Sequence, residues 1–230
     1  VNNVRTVSDT KQTFYSLHRR PVNTIYRRVV EELMVEMHLL SVNVDFTYNS
    51  IYALGVVTAF DRFMQGYQPE SDKASIFHAL CTAVQTNPDH YHQEAQRLLD
   101  IAKSLPVKDL TAWLSQTNCL ENDTQLQAEL DAIAHNPKFK YSRLFAIGIF
   151  SLLEASDPEV VKDEKRRTEA LNSIAKGLNI SDDKLNKDLE LYRSNLDKMT
   201  QAMAVMADML QADRKKREER AKAKPQQISQ

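Results

Sequence analysis

The six histidines, the clustered carboxylates and the two cysteines are the side chains of this 230-residue chain that could carry catalysis or hold a metal. His90 and Glu94 stand one helical turn apart with His92 between them, a separation at which two ligands can share an ion. The remaining ligands of such a shell are not supplied locally. The chain has no His-Glu-x-x-His and no Cys-x-x-Cys pair. A solvated helix surface is therefore the expected setting for His90 and His92. His38 lies among glutamates and is expected to be a structural or surface histidine rather than a base. Glu31, Glu32 and Glu36, and the pair Asp182 and Asp183, could in principle do acid–base work. On amphipathic helices such groups are usually solvated faces or charges suited to the positive end of the helix dipole. Cys81 and Cys119 are too isolated for a disulfide framework and read as reduced thiols. No catalytic, cofactor-binding or metal-ligating residue is nominated, and the expectation is a non-enzyme without a cofactor. The alternative is a metal-binding protein or enzyme whose site assembles only in three dimensions.

Composition agrees with that restraint. Only four glycines occur, which argues against a phosphate-cradling loop and against a turn-rich β fold. Apolar residues make up 42% and charged residues 27%, enough to build a core and too ordered a balance for wholesale disorder. A net charge of −1 gives no reason to expect nucleic acid as a partner. The first residues are polar, with neither an apolar signal core nor an Arg/Ser-rich transit segment. The longest apolar stretch, Tyr48 to Phe60, is too short to span a bilayer, so no membrane crossing is expected.

The elements that would position these residues are helices throughout. Ser8 with Asp9 reads as a cap opening a helix to about His18, closed before Pro21. Val22, Ile25, Tyr26, Val29, Val30, Leu33, Met34, Met37 and Leu40 recur at three and four residues, an amphipathic helix. Tyr48 to Gln65 is apolar on nearly every side and is expected at the centre, with Gly55 permitting a close backbone approach and Gly66 as its C′ residue. Further helices begin at Ser71 and at Asn87-Pro88, then carry Trp113, Leu126 to Ile133, and Phe139 to Glu154. Asp157-Pro158 caps a helix expected to run unbroken to Gly177. The fold class is all-α: a globular helical domain over residues 1–178, a long helix over 181–222, and a flexible tail over 223–230.

The last helix differs in kind. From the cap Ser181, the apolar positions are Leu185, Leu189, Tyr192, Leu196, Met199, Met203, Met206 and Leu210, whose steps alternate four and three like a coiled-coil heptad. At roughly 40 residues it would reach on the order of 60 Å, more than a compact domain of this size can bury. Few flanking positions are charged, so a tight two-stranded homodimer is poorly specified. Four of the seven methionines fall between Met199 and Met209, and thioethers suit an adaptable contact. Two readings stay open: docking on the chain's own body, and a partner surface formed by Leu189, Tyr192, Leu196, Met199, Met203, Met206 and Leu210. Residues 213–224 add a net of +4, expected to form a solvated helix end, with weak contact to anionic headgroups the lesser alternative.

Several stretches resemble the thylakoid formation protein family, also called the photosystem II biogenesis family, of cyanobacteria and chloroplasts. They are TVSDTKQTFY from Thr6, RPVNTIY from Arg20, YRRVVEELMVEMHLLSVN from Tyr26, ALGVVTAFDRFMQGY from Ala53, FHALC from Phe77 and YSRLFAIGIFSLLE from Tyr141. The resemblance implies a non-enzymatic accessory factor in thylakoid membrane biogenesis and photosystem II assembly and repair. It also implies an FtsH-type AAA+ membrane protease or photosystem II components as partners. Chloroplast members carry a transit peptide, so the polar start resembles the cyanobacterial branch. The implied location is the cytoplasmic side of the thylakoid membrane, peripheral, with a soluble pool. The family brings no catalytic residues to carry over.

Overall fold

The structure, a computed structural model, describes residues 5–120 and 123–223, with side chains described as far as residue 219. Its described residues form helices joined by short turns, with no strand among them. The centre is a pair of helices, α3 (Ser50–Phe63) and α8 (Arg143–Ser156), each apolar around most of its circumference and buried accordingly. A β-carbon built on Gly55 would stand 1.7 Å from the carbonyl oxygen of Leu144, and one on Gly148 would stand 2.0 Å from that of Ile51. The two backbones therefore touch at reciprocal glycines, as the mid-helix Gly55 leads one to expect.

The other helices of the body wrap this pair. α1 (Val7–Leu17) lies against α4 (Asp72–Ala83) and α2 (Thr24–Ser41). α5 (Pro88–Ser104) packs on both α3 and α8 and also meets α4. α6 (Val107–Leu114) meets α8, and α9 (Pro158–Lys162) joins α8 to α10 (Glu164–Gly177). α7 (Thr124–Ala134) buries Leu126, Leu130 and Ile133, the residues its periodicity singled out.

Caps explain most boundaries. Asn87 caps α5 with Pro88 in its first turn, and Gly66 takes the left-handed conformation (φ 79°) just past α3, both as expected. The start of α1 differs. Thr6, not Ser8, is the cap, because its extended backbone lets its hydroxyl accept from the Asp9 N–H while the Asp9 carboxylate accepts from the Thr6 N–H at 2.8 Å. That is a capping box, and Asp9 belongs to its far side. The helix expected from Pro158 to Gly177 is broken at Asp163, whose carboxylate accepts from the Arg166 N–H at 2.9 Å and starts α10 afresh.

α11 (Asp182–Ala223) runs 42 residues without interruption, about 63 Å. The chain divides into two compact units between Tyr192 and Arg193, inside this helix. The body thus extends past residue 178 and takes in the first turns of α11. Residues 224–230, most of the expected tail, lie outside the described residues. No helix among the described residues is long and apolar enough to cross a membrane.

Candidate functional site

Most of the side chains singled out as chemically capable are engaged in contacts within the fold. His90 stacks on Tyr48 with ring centres 5.3 Å apart, while His92 lies against Phe77 at 4.5 Å. Glu94 accepts from the Ser50 hydroxyl at 2.5 Å. Among the described residues no group of three or more His, Cys, Asp and Glu is arranged to hold a metal ion. His38 is buried, with its Nδ1 2.8 Å from the hydroxyl of fully buried Thr10, so it ties α2 to α1. Burial holds its imidazole below the usual histidine range and outweighs the nearby Asp9 carboxylate. Cys81 is buried and its thiol is pushed up to about 12, which makes it an inert apolar group; Cys119 is exposed.

The glutamates of α2 are neutralised one by one. Glu31 accepts from the Tyr15 hydroxyl at 2.6 Å and from Lys11 Nζ at 3.0 Å, and these bonds hold its carboxyl below the usual range. Glu32 pairs with Arg28 and Glu36 with Arg143, each at 2.9 Å. At the start of α11, Ser181 caps the helix through the Lys184 N–H and Asp183 pairs with Lys187 at 2.7 Å. None of these carboxylates is left poised as a base.

The outer side of α2 does line an open groove of about 1110 Å³, together with Lys11 and residues 140–143. No histidine or cysteine lines it. Its Tyr141 hydroxyl is committed to Asp188 at 2.8 Å, and its Ser142 caps α8 through the Phe145 N–H at 3.1 Å. The groove could receive a ligand; the Lys11–Glu31, Arg28–Glu32 and Arg143–Glu36 groups on its wall are engaged in ion pairs.

One polar cluster escaped the sequence reading. At the start of α3, Glu129 of α7 accepts from the Ser50 N–H at 2.8 Å while the Ser50 hydroxyl donates to Glu94 of α5. Arg97 of α5 then grips Asp123, which caps α7 through the Leu126 N–H at 3.0 Å. Two carboxylates on one serine suggest acid–base chemistry at first sight, and burial does push the Glu129 carboxyl up. Their positions at the amino end of α3 give a simpler account: they satisfy its first-turn donor and complement its dipole. Ser50 and Glu129 are 79 residues apart, so no local pattern could have announced the pairing.

The heptad positions of α11 separate into two groups. Leu185 and Leu189 are 0% and 2% exposed, and Tyr192 sets its ring edge-on to Phe63 at 5.9 Å and Phe150 at 6.2 Å. Leu189 and Tyr192 are therefore core residues of the body and not open surface, which corrects their grouping with the partner-facing side chains. Beyond Tyr192, Met199 is still buried, and Leu196, Met203 and Met206 are half-buried. Val205, Met209 and Leu210 are exposed by 52%, 63% and 68%.

With no catalytic arrangement among the described residues, relatedness is the remaining guide to role. Residues 6–221 match the family model described as thylakoid formation protein. Protein Thf1 of Nostoc punctiforme is 75% identical over 220 residues, covering 96% of this chain and 94% of that protein. Protein Thf1 of Crocosphaera subtropica is 58% identical over 217 residues, covering 94% and 88%. Among solved structures, Psb29 at 1.55 Å superposes with a TM-score of 0.80 at 44% identity, covering 93% of this chain and 98% of that one. A match that runs through the body and nearly the whole of α11 means that the chain belongs to the thylakoid formation protein family.

Proposed function

We propose that the protein is a non-enzymatic accessory factor in thylakoid membrane biogenesis and in photosystem II assembly and repair, and that it works by binding an FtsH-type AAA+ membrane protease or photosystem II components. It acts at the cytoplasmic side of the thylakoid membrane, attached peripherally and exchanging with a soluble pool. The contact runs along α11 beyond the body: Leu196, Met203, Met206 and Leu210, with the buried Met199 left to the fold. One observation carries this reading. The heptad pattern continues unchanged past Tyr192, where the body's compact unit ends, so an apolar seam persists in a second unit in which Met199 alone is buried among the described residues. Methionines on such a seam can repack against a partner at little cost. The engagement of His38, His90, His92, Glu31, Glu32, Glu36 and Glu94 in hydrogen bonds, ion pairs and ring contacts supports a binding role over a chemical one.

Met203→Asp tests it, because a charge there would be desolvated at any contact. The variant and the parent chain are each used to capture the FtsH-type protease from detergent-solubilised thylakoids, and both are melted. Loss of protease capture with the melting temperature held within about 1–2 °C is the expected result. Undiminished capture by the variant removes the seam from partner binding.

A further inference from the structure

Val205 and Met209 do not lie on the heptad seam. At about 100° per residue they sit roughly 90–130° around α11 from the line through Met199, Met203 and Met206. Together with the seam they widen the apolar arc to roughly 160°, while Thr200, Gln201, Asp208 and Gln211 share the opposite side. These off-seam residues, with Leu210 at the seam's end, are the open ones: 52%, 63% and 68% exposed. One heptad further on, Lys216 follows Met209 and Arg217 follows Leu210 on the same sides. Both are exposed and have no ion-pair partner among the described residues. Arg214, by contrast, is paired with Glu218 at 3.2 Å. Residues 213–224 carry a net of +4.

From this juxtaposition we infer that the Val205–Met209–Leu210 face of α11, with Lys216 and Arg217, lies on an anionic lipid surface. The chemistry matches on both counts, with Asp213, one turn past Met209 and Leu210, the single carboxylate on that side between residues 205 and 217. An amphipathic helix settles at the headgroup level with its apolar side sunk between acyl chains, and neighbouring cations add attraction to negative headgroups. A second copy of the helix is the poorer occupant. A two-stranded coil buries a narrow seam between charged flanks, and here the flanks are Val205, Met209 and alanines. The lipid-facing side and the seam are neighbouring faces of one helix, so a membrane-embedded partner could meet the seam while the adjacent side rests on lipid. The inference does not depend on that partner.

Flotation of the full chain with vesicles tests it directly. Vesicles of phosphatidylglycerol are expected to carry the protein at low salt and to release it as salt rises, while phosphatidylcholine vesicles leave it in solution. Lys216→Gln with Arg217→Gln should weaken binding on the order of 25-fold, from about fivefold per basic residue. Met209→Asp with Leu210→Asp should weaken it at least about tenfold and leave the melting temperature unchanged, since both side chains are exposed. No flotation on phosphatidylglycerol at low salt overturns the proposal, as does equal binding to both lipids. So does a Met209→Asp/Leu210→Asp variant that keeps its affinity, or one that instead turns an oligomer into a monomer, which would assign the face to a second copy. Only purified protein and lipid are present, so the result is independent of protease binding.

Discussion

Gly55→Ala adds one methyl group where α3 and α8 touch, and the structure allows its cost to be worked out. The new β-carbon would stand 1.7 Å from the Leu144 carbonyl oxygen and 2.6 Å from its carbon, against 3.4–4 Å for ordinary contact. Both atoms are backbone within a regular helix, so no side chain can swing aside. The helices must part by about 1.5–2 Å, loosening the layer formed by Leu54, Val56, Ala146 and Ile149, all fully buried. Overpacking of this kind costs about 3 kcal/mol or somewhat more. The better helix propensity of alanine returns about 1 kcal/mol. The net loss of about 2–3 kcal/mol converts to a fall in melting temperature of about 4–12 °C for a chain of this size. Gly148→Ala, whose β-carbon would stand 2.0 Å from the Ile51 oxygen, should behave alike. The double variant carries the sharper test. Once the helices have parted for one methyl, the second enters nearly free, so the two losses should fall well short of adding. Thermal unfolding followed by circular dichroism measures all three. A fall below about 2 °C for Gly55→Ala, or full additivity in the double variant, refutes the claim that the backbones meet at these glycines.

Acid should weaken the body earlier than its carboxylates alone would dictate. His18 and His38 are both 3% exposed, and burial holds both imidazoles below the usual histidine range. The unfolded chain therefore takes up protons first as pH falls below about 6.5, and stability present above that value is lost on the way down, at most about 1.4 kcal/mol per pH unit per histidine. Melting temperatures between pH 8 and 5 check this; a rise in stability over that acidifying range contradicts it. Leu189→Ala, at a residue 2% exposed, should cost about 2–5 kcal/mol, whereas Met209→Ala, at one 63% exposed, should stay within about 0.5 kcal/mol. Denaturant titration separates the two, and equal costs would mean that the body does not end where the fold places its edge.

The helices themselves were legible because apolar periodicity and capping chemistry are local properties. Asn87-Pro88, Ser181, Gly66 and the close approach at Gly55 all stand where single-residue stereochemistry puts them. Where two local signals compete, reading is harder. Ser8 and Thr6 are both good caps, and only the reciprocal bond with Asp9 decides for Thr6. Asp163 resembles a surface charge until its carboxylate is seen capping α10. The polar anchors are another matter. Ser50 with Glu129, His38 with Thr10 and Tyr141 with Asp188 join residues far apart in the chain, and each depends on which helices become neighbours. The point along α11 where the seam leaves the body was illegible for the same reason. Tyr192 and Leu196 obey one periodicity, and only the ring contacts of Tyr192 with Phe63 and Phe150 distinguish them.

How α11 stays helical past Tyr192 bears on what it can do there. Isolated helices are held back chiefly by nucleation, since the first turn orders several residues for a single hydrogen bond. In α11 that step is supplied by the body, where Ser181 caps the first turn and Leu185, Leu189 and Tyr192 are buried. From Arg193 on, only propagation is required. Residues 193–223 contain neither glycine nor proline and are rich in alanine, methionine, lysine and arginine, which propagate well. The helicity past Tyr192 thus follows from its nucleus and its composition, and needs no partner to complete it. A surface already helical when it meets a protein or a bilayer pays little further ordering entropy on binding. That lets a short apolar face such as Val205, Met209 and Leu210 contribute a useful share of its burial energy to the contact.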